Sequence, residues 1–335
     1  MDNRRVRIVD IAEELGVSTA TVSNVIHGKT KKISDETVRR VQELLEQRQY
    51  IPSMAGILLA QNNSRIIGVV VNNHEKYEAH VLEDTFIASA LNELSAEIEK
   101  AGYFMMVKTA TEVEEIACFA SMWNMDGLVI LGFCEQDYKK LRDTMRIPFV
   151  VYDGYLENPE RLCNLVLDNY NGGYQMGTYF KKMGHHKVLC ISDNDDRMDK
   201  ERFLGFQAAM AEDGAEFLMI PMEKEERRQF YQQKLEQLTS YSAIFAVSDY
   251  YAIELMQFLQ EQGCNVPEDI SIAGFDDVPL CEMVCPTLTT VRQDKKKRAQ
   301  LAITMLERLK EDENAGTTLT LPVTLVERKS VIRKE

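Results

Sequence analysis

Apolar residues near the start of the chain recur at helical spacing in three short runs: Ile8, Ile11, Ala12 and Leu15, then Val22, Val25 and Ile26, then Val38, Val41, Leu44 and Leu45. Gly16 stops the first run, because glycine reaches positive φ without a Cβ clash. Val17 is expected to face inward. Ser18 and Ser34 are placed to cap the second and third helices, and Asp35 and Glu36 suit the positive end of the third. Pro52 ends that helix and Ser53 can cap a short new one. About two turns long, it is marginal alone, and Gly56 weakens it by ~1 kcal/mol relative to alanine. Asn62-Asn63-Ser64 reads as a linker.

From Ile66 the pattern changes. Ile66-Ile67-Gly68-Val69-Val70-Val71 is a continuous apolar run, as in a strand buried on both faces. Strands near 104–108, 127–131 and 148–152 alternate with helices near 82–101, 112–122 and 135–144. After Leu165-Val166-Leu167-Asp168 a second series begins, with strands near 187–192, 217–220, 243–247 and 270–274. Its helices fall near 171–183, 199–213, 224–240 and 249–262. Such alternation predicts parallel sheets covered by helices, in two successive sets. The last stretch reads as a strand at 288–291, a helix at 294–312 and a strand at 319–327, elements that could cross back to finish both lobes.

In the second helix the positions left outside the apolar stripe are Thr19, Ala20, Ser23, Asn24 and His27. This face is small, polar and almost uncharged, whereas a helix shaped only by solubility usually carries Lys and Glu. Hydroxyl, amide and methyl groups on a helix packed against a partner can enter a DNA major groove and read base edges. The alternative is a helical hairpin that caps a domain. Lys31, Lys32, Arg39 and Arg40 are candidates for phosphate contacts or for a solvated face.

The net charge of −14 argues against nucleic acid only if it is evenly spread. Residues 1–62 hold nine Lys/Arg against eight Asp/Glu, or +1, and the rest of the chain carries −15. A near-neutral reading head on an acidic body implies modest non-specific affinity and dependence on dimerisation. The length of 335 residues suffices for two or three domains. A charged start and no apolar run near 20 residues predict a cytoplasmic protein without a signal peptide or membrane span. Seven cysteines without a CxxC pair predict reduced thiols and no metal site. No cofactor is expected. No Gly-x-Ser-x-Gly elbow or phosphate loop supports an enzyme, and Gly184-His185-His186-Lys187 reads as a turn.

The chain resembles the lactose-repressor (LacI/GalR) family over nearly its full length. The resemblance rests on Asp10-Ile11-Ala12 with Gly16-Val17-Ser18-Thr19-Ala20-Thr21-Val22-Ser23, on Tyr50-Ile51-Pro52 with Leu59, and on Val266-Pro267-Glu268-Asp269-Ile270-Ser271-Ile272-Ala273-Gly274-Phe275-Asp276-Asp277 followed by Pro286-Thr287-Leu288-Thr289-Thr290-Val291. It implies an all-α helix-turn-helix domain at 6–51 and a hinge helix and linker at 52–64. The α/β two-lobed periplasmic-binding-protein-like core with parallel sheets would span 65–335. Lobe 1 would comprise about 65–164 and 292–318, and lobe 2 about 165–291 and 319–335.

The implied partners are near-palindromic double-stranded operator DNA, a second copy of the chain, and a small polar effector such as a sugar. Without leucine heptads near residue 335, a dimer rather than a higher assembly is expected. By position, Thr19, Ala20 and Asn24 would meet base edges, with Ser18, Thr21 and Ser23 on phosphates. His27 and Asn24 depart from the family pattern, so the base preference there does not carry over. Leu59 would wedge into the minor groove. Asp153, Arg202 and Asp276 would hold the effector, joined by Ser248, where the family often has Asn, and by Asp249, which alternatively caps a helix. A repressor is the first reading; an effector-dependent activator and a cytoplasmic solute-binding protein are the alternatives.

Overall fold

The computed structural model describes residues 6–51, 64–74, 79–154, 161–211 and 214–334. The predicted hinge helix, with Leu59, lies outside the described residues. The chain divides into two compact units between Ser64 and Arg65.

The first unit contains α1 (Ile8–Leu15), α2 (Thr19–Ile26) and α3 (Asp35–Gln47). Ile11, Ala12, Val22, Val25, Val41 and Leu44 make its core, edged by Val17, Ile26, Val38 and Leu45. Gly16 ends α1 at φ 66°, and its N–H satisfies carbonyls of the last turn. Ser18 and Ser34 cap α2 and α3 through the N–H groups of Thr21 and Thr37. Arg48 at the end of α3 pairs with Glu14 of α1 at 2.8 Å.

In the second unit, β1 (Ile66–Asn72), β2 (Phe104–Ala110), β3 (Gly127–Leu131), β4 (Phe149–Tyr152) and β5 (Cys163–Leu167) alternate with helices. A second run follows as β6 (Val188–Ser192), β7 (Ala215–Met219), β8 (Ala243–Ala246) and β9 (Ser271–Ala273). After these come β10 (Thr290–Gln293), β11 (Thr317–Leu321) and β12 (Val323–Val326). The first sheet has the order β2-β1-β3-β4-β5-β11 and the second β7-β6-β8-β9, with every pairing parallel. β10 and β12 pair antiparallel between them. Single bridges from Thr289 to Ala273 and from Arg292 to Asp276 lay this ribbon along the end of β9.

The single strand expected at 319–327 is therefore two. Pro322 has no N–H to continue the ladder, so the chain leaves the first sheet at Leu321 and enters the ribbon at Val323. The lobe boundaries also shift. β5 belongs wholly to the first sheet and pairs with β11 along its length, so divisions at 164/165 and 318/319 would cut through two paired strands.

Helices Asn169–Lys182 and Arg197–Ala209 cross at Gly173 and Gly205. A Cβ on Gly173 would stand 1.8 Å from the Arg202 carbonyl oxygen, and one on Gly205 would stand 1.8 Å from that of Tyr170. Backbone-to-backbone packing of this kind has no slack for a methyl group. Gly205→Ala should cost about 2 kcal/mol or more in urea unfolding; a loss below about 0.5 kcal/mol would show that the helices can separate freely.

Candidate functional site

Two regions hold the polar residues singled out from the sequence. On α2, Ser18, Thr19, Ala20 and Asn24 are exposed, while Thr21, Ser23 and His27 are half-buried. The hydroxyls of Ser18 and Thr21 are 2.9 Å apart, so the cap fixes the entry to the helix. Lys29, Lys31 and Lys32 stand exposed in the loop that follows. The outer face of α2 is thus uncharged and shaped by short side chains, next to a cationic loop.

The second region lies at the carboxyl ends of the parallel strands, where open α/β sheets place their ligands. Asp153 directly follows β4 at φ 54°, a conformation costly for a residue with a Cβ. The turn after it is held by Asn164, whose side chain accepts from the Gly154 N–H at 3.0 Å and donates back to its carbonyl. Asp153 pairs with the buried Arg298 at 2.8 Å.

Arg202, 5% exposed, donates through Nε to Asn169 at 2.9 Å and through Nη1 to the Val247 carbonyl at 2.7 Å. Its guanidinium lies 3.7 Å above the Phe275 ring. Asp276 follows β9 at φ 121° and accepts from the amide of Gln293, the last residue of β10. Burial pushes the Asp276 carboxyl up to about 8, against the pull of Arg202. Asp84, which caps helix Thr85–Lys100 beside the first sheet, adds to this rise across the cleft. Arg197 likewise acts on Tyr138 from the opposite side. Charged groups of the two lobes thus lie within electrostatic range of one another.

Two expected contacts change meaning. Asp249 is fully buried, and its oxygens accept from the Val278 N–H at 2.9 Å, the Cys281 thiol at 3.1 Å and the Thr290 hydroxyl. With no accessible surface and both oxygens engaged, it pins a loop and β10 to its helix and offers an effector no exposed acceptor. The cap is Ser248, which accepts from Tyr251 N–H at 3.4 Å and so has part of its hydroxyl capacity committed.

Arg298, Gln293, Asn169 and Tyr152 were not expected here. Arg298 does carry a signal in the sequence. Lys295-Lys296-Lys297-Arg298 opens helix Lys295–Glu311, where the helix dipole mildly disfavours cations; Lys296 and Lys297 are exposed to solvent and Arg298 is buried. Among the described residues no group of three or more His, Cys, Asp and Glu could hold a metal ion. All seven cysteines are free, and no described helix is long and apolar enough to cross a membrane.

Residues 7–53 match the family described as bacterial regulatory proteins, lacI family, and residues 178–331 match the periplasmic binding protein-like domain. A transcriptional repressor of Erwinia tasmaniensis, PurR, is 31% identical over 97% of this chain and 96% of its own. The chain belongs to the lacI family. The PurR repressor of Aliivibrio fischeri is 28% identical to this lacI-family chain over 98% of each. The lac repressor dimer bound to operator and the anti-inducer ONPF matches 98% of the chain with a TM-score of 0.83 at 22% identity. The regulator CelR in complex with cellobiose matches 97% with a TM-score of 0.69 at 21% identity. At these identities the structural matches establish the fold.

The raised carboxyl of Asp276 has a consequence for stability. The folded state keeps its proton to higher pH than the unfolded chain does, so this group's contribution is full below pH ~4 and is lost as pH rises towards about 8. Asp276→Asn should show a shallower decline in urea stability from pH 5 to 8 than the parent protein. An equal decline in both proteins would place the titration elsewhere.

Proposed function

We propose that this lacI-family protein is a homodimeric transcriptional repressor that reads one half of a near-palindromic operator with α2 of each subunit. A small polar effector, a carbohydrate or related polyhydroxylated metabolite, sets its operator affinity from the cleft between the two sheets. The observation that carries the DNA reading is the exposed, uncharged face of Thr19, Ala20 and Asn24 on a helix that Gly16 and Ser18 lock against α1. Asn24 can bond both edge positions of an adenine, and the Ala20 methyl can meet a thymine methyl. Ser18, Thr21 and Ser23 would bond phosphates, His27 would read the flank, and Leu59 would wedge the operator centre. Acting on chromosomal DNA, the protein would work in the cytoplasm.

For the effector, Asp153, Arg202, Asp276 and Gln293 supply directed acceptors and donors at one edge of the fold, with Ser248 beside them. Such a set suits hydroxyl groups. Two structural neighbours are described as complexes with cellobiose and with ribose, in keeping with this class.

An operator selected from a random duplex pool tests the assignment by fluorescence anisotropy. Asn24→Ala should cost about 1–3 kcal/mol and relax preference at one base pair in each half-site. Lys31→Ala should weaken all sequences alike and reduce the salt slope by about one. Unchanged affinity and preference in Asn24→Ala would refute base reading by this face.

A further inference from the structure

Buried polar atoms in folded proteins nearly always find a partner, so groups of them that lack one call for an explanation. Asn73 Oδ1, Tyr152 OH, Asp153 Oδ1, Gln293 Oε1, and Nε and Nη1 of Arg298 are all buried and unpartnered. Others, such as His185 Nδ1 and Tyr231 OH, lie elsewhere, but these six sit at or just beyond the ends of strands and at the helix that follows β10. Asn73 follows β1, Tyr152 ends β4, Asp153 follows it, and Gln293 ends β10 next to the helix that carries Arg298.

Arg298 is 2% exposed. Its Nη2 donates to Asp153 Oδ2 at 2.8 Å and to the Leu165 carbonyl at 2.6 Å, and the guanidinium lies 4.1 Å over the Tyr152 ring. A guanidinium cannot shed its proton, and a purely structural buried pair is tolerable only when its remaining donors are satisfied. Here two nitrogens are not. In the second lobe Arg202 is paired more loosely, 3.9 Å from the Asp199 carboxylate, which also accepts from Ser192 and Asn194.

We propose that Arg298 is the specificity-determining residue of this cleft and selects an acidic effector, a polyhydroxylated carboxylate of the sugar-acid class. The inference rests on the cleft being the effector site. The effector's carboxylate accepts from Nε or Nη1 of Arg298, while its hydroxyls donate to Asp153 Oδ1 and Gln293 Oε1. Tyr152 can bond either kind of group. A neutral sugar can satisfy the same geometry, but without the stronger charge-assisted bond to the guanidinium.

Calorimetric titration of the full chain tests this with matched pairs: D-gluconate against D-glucitol, D-galactonate against D-galactitol, D-glucuronate against D-glucose, and D-galacturonate against D-galactose. At least one acid should bind tenfold or more tightly than its neutral counterpart. Arg298→Leu should abolish that preference and Arg298→Lys should keep part of it. If Arg298→Leu does not fold, the preference of the parent protein and its change in Arg298→Lys decide. The inference is overturned if a neutral compound binds as tightly as its acid, if the preference survives unchanged in Arg298→Leu, or if none of the acids binds. Failure of the underlying cleft reading looks different: ligands would then bind with affinities unaltered by Arg202→Ala.

Discussion

The second unit depends on the way its chain returns. Having built one sheet and then the other, it runs back along β9 through β10 and traverses a long helix. It then pairs β11 with β5 and re-enters the ribbon through β12. Neither lobe is finished without this return, and both share it. The polar residues that face the cleft cluster along this path: Gln293 holds Asp276 of the second lobe, and Arg298, one and a half turns on, holds Asp153 of the first. The chain passes between the sheets here, as it does after β5 and at Pro322, so a change in the angle between them acts on the segment that joins these pairs. An effector bound there, as proposed above, would thereby bias both lobes.

Buried polar groups divide into two kinds along the same seam. Asp249 has every oxygen engaged and fixes the loop at Val278–Cys281 and Thr290 to its helix, a structural use of a carboxylate. Asp153, Gln293 and Arg298 retain unfilled bonding capacity. The distinction matters because charge alone does not separate them. Both aspartates are acidic residues near the carboxyl ends of strands, yet one is saturated by protein and the other keeps an unfilled acceptor. Close helix packing at Gly173 and Gly205 fixes the backbone of Arg202, whose side chain is held by Asn169 and the Val247 carbonyl.

Much of this was legible in the sequence. The three N-terminal helices follow from apolar spacing, one glycine and two serine caps, because local chemistry decides each boundary. The parallel strands follow from apolar runs that only a sheet covered on both faces can bury. The split at Pro322 needed the proline weighed against the strand pattern around it. Asp249 and Arg298 were less legible for a different reason. Whether a carboxylate is saturated depends on Val278, Cys281 and Thr290, distant in sequence, and the partner of Arg298 lies at Asp153. Only the misplaced cations at 295–298 hinted at that pairing.

If occupancy of the cleft sets operator affinity, the coupling between the two binding sites must be reciprocal. The most direct measurement takes a cleft ligand identified by its thermal stabilisation of the protein and determines two ratios. One is the operator dissociation constant with and without the ligand; the other is the ligand dissociation constant with and without operator. Equal ratios of at least about fivefold are expected, within the usual range of coupling energies, falling to one in Arg202→Ala. Operator affinity unmoved by a saturating cleft ligand would contradict the coupling.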